Sequence, residues 1–125
     1  MNEKMFSIRK RLRSFKYAIN GLSILLREEH NARIHFFASC CVIFAGFFFR
    51  ISALEWMAIT FAIGFVFSME IMNSAIENMA DFISPEKHLK IKRIKDLSAA
   101  GVLVSALAAL FIGLIIFIPK LITFL

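Results

Sequence analysis

The stretch LEWMAITFAIGFVFSMEIMNSAIENMADF, Leu54 to Phe82, decides how this chain must be read. From Met57 to Met69 it carries no charged residue. Trp56, just before that run, suits the edge of a bilayer, where tryptophan is favoured. The second half keeps the helical pattern but places Glu70, Asn73, Glu77 and Asp81 at spacings of three, four and four. At 100° per residue these four fall within an arc of about 80° on one helix face, with Ser74 close beside them. Glu77 then lies about 10 Å along the axis from Glu70. A carboxylate is expensive at the centre of a bilayer and less so toward its surface. The stripe must therefore face protein, water, a cation or another carboxylate. That it merely marks where the helix leaves the membrane would explain Asp81 well, Glu77 moderately and Glu70 poorly.

The rest of the chain agrees with a membrane reading. Of 125 residues, 59% are hydrophobic, only 19% are charged and 15 are phenylalanine. A soluble domain of this size lacks the interior volume to hide so much apolar surface. Eight of the 15 Lys and Arg precede Ile34, and five more lie between Lys87 and Lys95. This distribution excludes an ordinary soluble enzyme and a disordered tail. The adjacent Cys40 and Cys41 have no second pair with which to build a metal site or disulfide framework, and read as small buried or lipid-facing residues.

Outward from the central stretch, the chain divides into one surface helix and three spans within a single domain, 1–125. Ile8, Leu12, Phe15, Ile19, Leu22 and Leu26 follow 4-3-4-3-4 spacing inside segment 5–29, flanked by Arg9, Lys10, Arg11, Arg13 and Lys16. An apolar stripe with basic flanks suits a helix lying on an anionic membrane rather than a nucleic-acid binder. Residues 34–49 form the first span, short for a core of about 30 Å, with Glu29–Arg33 available to extend it. Residues 54–82 form the second, with its polar extension. Ser84-Pro85 breaks the helix, 83–95 is a basic connector, and 97–118 is the third span, stopped by Pro119 and Lys120. The basic residues put the N-terminus and the connector in the cytoplasm and the C-terminus outside.

A hard cation such as Mg²⁺ favours oxygen ligands of the kind this stripe offers, commonly one or two carboxylates plus substrate phosphates. Glu70, the deepest, could instead act as a base. Lys95-Asp96 opens the third span and Ser98-Ala99-Ala100-Gly101 follows; small residues there let helices approach closely. Glu28, Glu29, His30, Asn31 and Arg33 form a second polar cluster, expected at the level of Glu77. His30 and His35, five residues apart, share no helix face and read as interfacial side chains.

With these residues in place, the sequence resembles the prokaryotic diacylglycerol kinase and undecaprenol kinase family. The carriers are Glu70-Ile-Met-Asn-Ser-Ala-Ile-Glu77, Asp81 and Lys95-Asp96-Leu-Ser-Ala-Ala, within a likeness running from about Arg13 to Pro119. The resemblance implies ATP-dependent phosphorylation of a lipid hydroxyl in the bacterial inner membrane, by a homotrimer with active sites shared between neighbours. It implies Glu70 as general base, and Glu29 and Glu77 as the Mg²⁺ ligands that hold ATP. It implies Lys95 and Asp96 at the nucleotide, with Tyr17 as an aromatic neighbour and Glu86 and His88 in the connector that covers it. Asn73, Arg33 and Ala99 fall on supporting motif positions. The chain departs from some members at Lys87, where they have tyrosine, and at Leu97-Ser98-Ala99, where others have Met-Gly-Ser. Glu29-His-Asn-Ala-Arg-Ile-His35 and Leu54-Glu-Trp56 look closer to the undecaprenol branch than to the diacylglycerol branch.

Two other classes would use the same carboxylates. A cation-coupled channel or carrier could do so, but three spans supply no inverted repeat and no proline interrupts the second. A non-catalytic membrane subunit would tolerate loss of the Glu70 charge.

Overall fold

The computed structural model describes residues 3–86 and 88–125; Lys87, where the sequence departs from some relatives, lies outside them. Four helices follow in order: α1 (Glu3–Glu28), α2 (His30–Phe48), α3 (Ala53–Ile83) and α4 (Leu89–Phe124). Among the described residues there is no strand. α2, α3 and α4 are each long and apolar enough to cross a membrane, so the chain is all-α, with three candidate spans and one preceding helix.

Each boundary has a local cause. Between α1 and α2 only Glu29 leaves helical backbone, at φ −103° and ψ 113°. The polar residues His30–Arg33 are therefore the first turn of α2. α2 ends in a Schellman motif: Ile51 N–H donates to Gly46 O at 3.1 Å and Arg50 N–H to Phe47 O at 3.3 Å. Arg50 takes the left-handed conformation, φ 52°, that this motif requires and glycine adopts more easily. Ser52 then caps α3 in a reciprocal capping box with Glu55. α3 stops at Ile83, ahead of the Ser84-Pro85 break. His88 Nδ1 accepts from the Lys90 N–H at 3.1 Å and starts α4.

The basic connector 83–95 turns helical at Leu89, because the His88 cap and the Lys92–Asp96 pair at 2.7 Å sustain helix from there. One expectation needs correction: α4 does not stop at Pro119, which lies inside it. An interior proline costs about 3 kcal/mol in a soluble helix. Here both sides of it are anchored, by buried Ile116 and by Lys120, whose Nζ lies 2.9 Å from Glu55 Oε2 on α3. One turn later the Thr123 hydroxyl donates to Pro119 O at 2.9 Å.

α3 and α4 run antiparallel and are the most extensively packed pair. They are joined at one end by Glu55–Lys120 and at the other by Asp81–Lys95. The apolar core, built on Ile51, Ile59 and Ile116 with Trp56 and Phe117 against it, occupies the Glu55 half. Toward the Asp81 end, buried side chains on α3 turn polar, at Glu70 and Ser74. α1 buries Leu25 near its end, while Ile8, Leu12, Phe15, Ile19 and Leu22 stay exposed. Among the described residues these five side chains of the stripe are left uncovered, the arrangement suited to a helix lying in a membrane surface. Phe37, Phe44, Phe61 and Phe111 point outward from the spans, and Cys40 and Cys41 are free and exposed.

Candidate active site

Glu70 is only 2% exposed. From α2, His35 Nε2 approaches Glu70 Oε1 to 3.2 Å. That enclosed oxygen has no hydrogen-bond partner among the described residues. One turn along, the buried Ser74 hydroxyl donates to Glu29 Oε1 at 3.2 Å. The Glu29 carboxylate makes no capping bond to the helix it precedes, and points to α3 instead. Glu29 and Glu77, both half-buried, are the carboxylates near enough to act electrostatically on Glu70. Three acidic groups from two parts of the chain thus converge, with a histidine at the deep end. Among the described residues no three His, Cys, Asp or Glu side chains make a metal centre unaided.

Asn73 lies on the other flank of the stripe. It faces α4 and lines a cavity of about 440 Å³ with Ser98 and Gly101. Its Oδ1 and the Ser98 hydroxyl are both buried without hydrogen-bond partners. A second groove, also about 440 Å³, follows the connector and contains Asp81, Glu86, His88, Lys95 and Asp96. Four residues expected at the nucleotide therefore share one surface. Both lysines in it are paired, Lys95 with Asp81 across the helices and Lys92 with Asp96 along one helix. Tyr17, on α1, is 69% exposed. Arg33 and Ala99 are exposed as well, and none of these three lines either groove. A further cavity of about 460 Å³ runs between α2, α3 and α4; apart from His35 and Ser39 its lining is apolar.

Sequence reasoning missed the contact of His35 with Glu70 and left His35 as an interfacial side chain. It also gave Asp81 no partner, although Asp81 holds Lys95. Both contacts join residues of different helices, and no spacing rule within one helix signals them.

The comparisons with known proteins cover the stretch of chain that carries these residues. The sequence profile of the prokaryotic diacylglycerol kinase family matches residues 16–117. An undecaprenol kinase of Bacillus subtilis (strain 168) is 41% identical over 109 residues, covering 87% of this chain and 89% of the relative. A diacylglycerol kinase of Synechocystis sp. (strain ATCC 27184 / PCC 6803 / Kazusa) is 30% identical over 111 residues, covering 88% of this chain and 63% of the relative. A diacylglycerol kinase of Haemophilus influenzae (strain ATCC 51907 / DSM 11121 / KW20 / Rd) is 30% identical over 94 residues, covering 75% and 80%. The matched region holds Glu29, Glu70, Glu77 and Lys95 together with the first two candidate spans and most of the third. A match over most of the chain, together with relatives at 30–41% identity, places the chain in the prokaryotic diacylglycerol kinase family.

Proposed function

We propose that this enzyme transfers the γ-phosphoryl group of ATP to the hydroxyl of a membrane lipid alcohol, with undecaprenol as the acceptor. The observation that carries the reading is Glu70, a buried carboxylate with an unbonded oxygen, deep on a spanning helix and flanked by two further carboxylates. Glu70 accepts the proton of the lipid alcohol as its oxygen bonds to the γ-phosphorus. The bond from that phosphorus to the bridging oxygen breaks, and ADP leaves with the electron pair. Such a transfer needs chiefly positioning and charge neutralisation, with one group to orient the hydroxyl.

Glu29 and Glu77 are the residues that would hold Mg²⁺. Two carboxylates are a usual protein contribution to Mg²⁺, with substrate phosphates and water completing the shell. When bound, the ion neutralises triphosphate charge. Ser74 keeps the Glu29 carboxylate turned toward α3. Lys95, held by Asp81, is the cation that would exchange its carboxylate for a phosphate. Glu86, His88 and Asp96 line the same groove and would cover the nucleotide. Tyr17 and Arg33 do not reach that groove within one chain, which supports a homotrimer whose neighbours complete each site. The basic N-terminal helix and connector support a cytoplasmic-membrane protein with both on the cytoplasmic side and the C-terminus outside.

Diacylglycerol is the second reading, supported by the names of two relatives. The test is to incubate purified protein with Mg-ATP and either lipid, following phosphate into each. Preferential labelling of undecaprenol is expected. Labelling of diacylglycerol alone selects the second reading, and labelling of neither by folded protein overturns both.

A further inference from the structure

His35 takes no part in the roles described so far. Among the described residues, its Nε2 is nevertheless the one cation-capable side-chain group paired with Glu70, 3.2 Å from Oε1. The other charged groups acting on Glu70 are the carboxylates of Glu29 and Glu77, which repel it. A carboxylate enclosed among like charges has no inherent orientation, since nothing else holds Oε1. His35 lies on the second turn of α2, which starts at His30. Its backbone oxygen accepts from the Ser39 hydroxyl at 2.7 Å. Its ring also forms part of the lining of the apolar cavity between the spans, with Ala38, Val42 and Val66. His35 thus stands where a space suited to a lipid chain meets the carboxylate suited to its hydroxyl.

We propose that His35 is a positioning residue for phosphoryl transfer: its Nε2–H holds Glu70 Oε1, so that Oε2 is presented to the lipid alcohol. A small closure on substrate converts the 3.2 Å approach into a donated hydrogen bond; catalytic hydrogen bonds often tighten only with substrate in place. The histidine touches neither nucleotide nor metal ligand and acts through Glu70. This inference rests on Glu70 being the base.

The experiment uses the full chain with Mg-ATP and whichever lipid it labels. Three variants are compared: His35→Leu, which removes the donor, His35→Gln, whose Nε2 lies the same number of bonds from the backbone, and Glu70→Gln. His35→Leu should lower kcat by about 100-fold, the scale of a misplaced catalytic group, with KM for ATP and lipid within about twofold. His35→Gln should recover at least a tenth of wild-type kcat. Leucine and glutamine variants that lose activity equally, or a leucine variant with wild-type kcat, overturn the proposal. A merely structural clamp between α2 and α3 would lower thermal stability and raise both KM values together. Should the leucine variant fail to fold, His35→Asn reads the same point: its amide falls one bond short, and wild-type kcat in it overturns the proposal. Full activity of Glu70→Gln would instead remove the base assignment, an outcome distinct from every His35 result.

Discussion

The Ser74 hydroxyl donates to Glu29 Oε1 at 3.2 Å across a sequence separation of 45 residues. This bond ties the break between α1 and α2 to the polar face of α3. It also fixes the direction of a carboxylate that would otherwise cap its own helix. The N-terminal helix and a candidate spanning helix are thereby joined at the point where lipid and nucleotide meet in the proposed reaction.

Loss of that bond should be felt at the metal before it is felt in the fold. Ser74→Ala should cost about 1 kcal/mol of stability, the typical net worth of one hydrogen bond, and raise the Mg²⁺ concentration for half-maximal rate severalfold. Thermal unfolding in detergent and a Mg²⁺ titration of phosphate transfer check the two parts separately.

Glu70→Gln should leave the helices and the assembly intact, because the amide keeps the size and shape of the carboxylate. It cannot accept the proton, so turnover should fall by 10²- to roughly 10⁴-fold. Circular dichroism and initial rates at saturating lipid measure both.

Glu77→Gln should act differently, raising the requirement for Mg²⁺ and KM for ATP more than it lowers kcat at saturation. A Mg²⁺ titration identical to wild type would remove Glu77 from the ligand set.

At the opposite end of the bundle, Gly46 meets Trp56. A Cβ at Gly46 would stand 2.6 Å from Trp56 Cη2 and 2.9 Å from Cζ2, with Ile51 Cδ1 at 3.1 Å. The indole is held against Phe47 at a centroid distance of 4.9 Å. Gly46→Ala should therefore destabilise the protein by about 1–3 kcal/mol, the usual cost of overpacking. Unfolding midpoints would show it, and Trp56→Leu in the same chain should relieve it.

Glu55 serves two structures at once, the capping box with Ser52 and the ion pair with Lys120. Glu55→Ala should lower the unfolding temperature more than Lys120→Ala does, since the latter leaves the capping box in place. Equal losses would show that the cap contributes nothing here.

Much of this was legible along the chain because it is local. Hydropathy and charge separated three spans from a basic N-terminal helix, and Ser84-Pro85 ended α3 where proline chemistry requires. The stripe Glu70, Asn73, Glu77 and Asp81 could be placed on one face from the helical repeat alone, and it was this stripe that carried the family resemblance. Pro119 was misread for the converse reason. Its local signal is to stop a helix, and the contacts that keep α4 going, Lys120 with Glu55 above all, come from another helix.

By itself, the sequence determined the helices, their apolar stretches and the acidic stripe, because backbone hydrogen bonding and side-chain periodicity act within a few residues. Only the tertiary structure decided that Ser74 would hold Glu29, that Asp81 would hold Lys95, and that His35 would stand against Glu70. It also split the stripe, turning Ser74 to Glu29 and Asn73 to the cavity shared with Ser98. Those pairings depend on how far each helix slides and turns against the next. That geometry is set by the summed packing of whole surfaces, which no single spacing encodes.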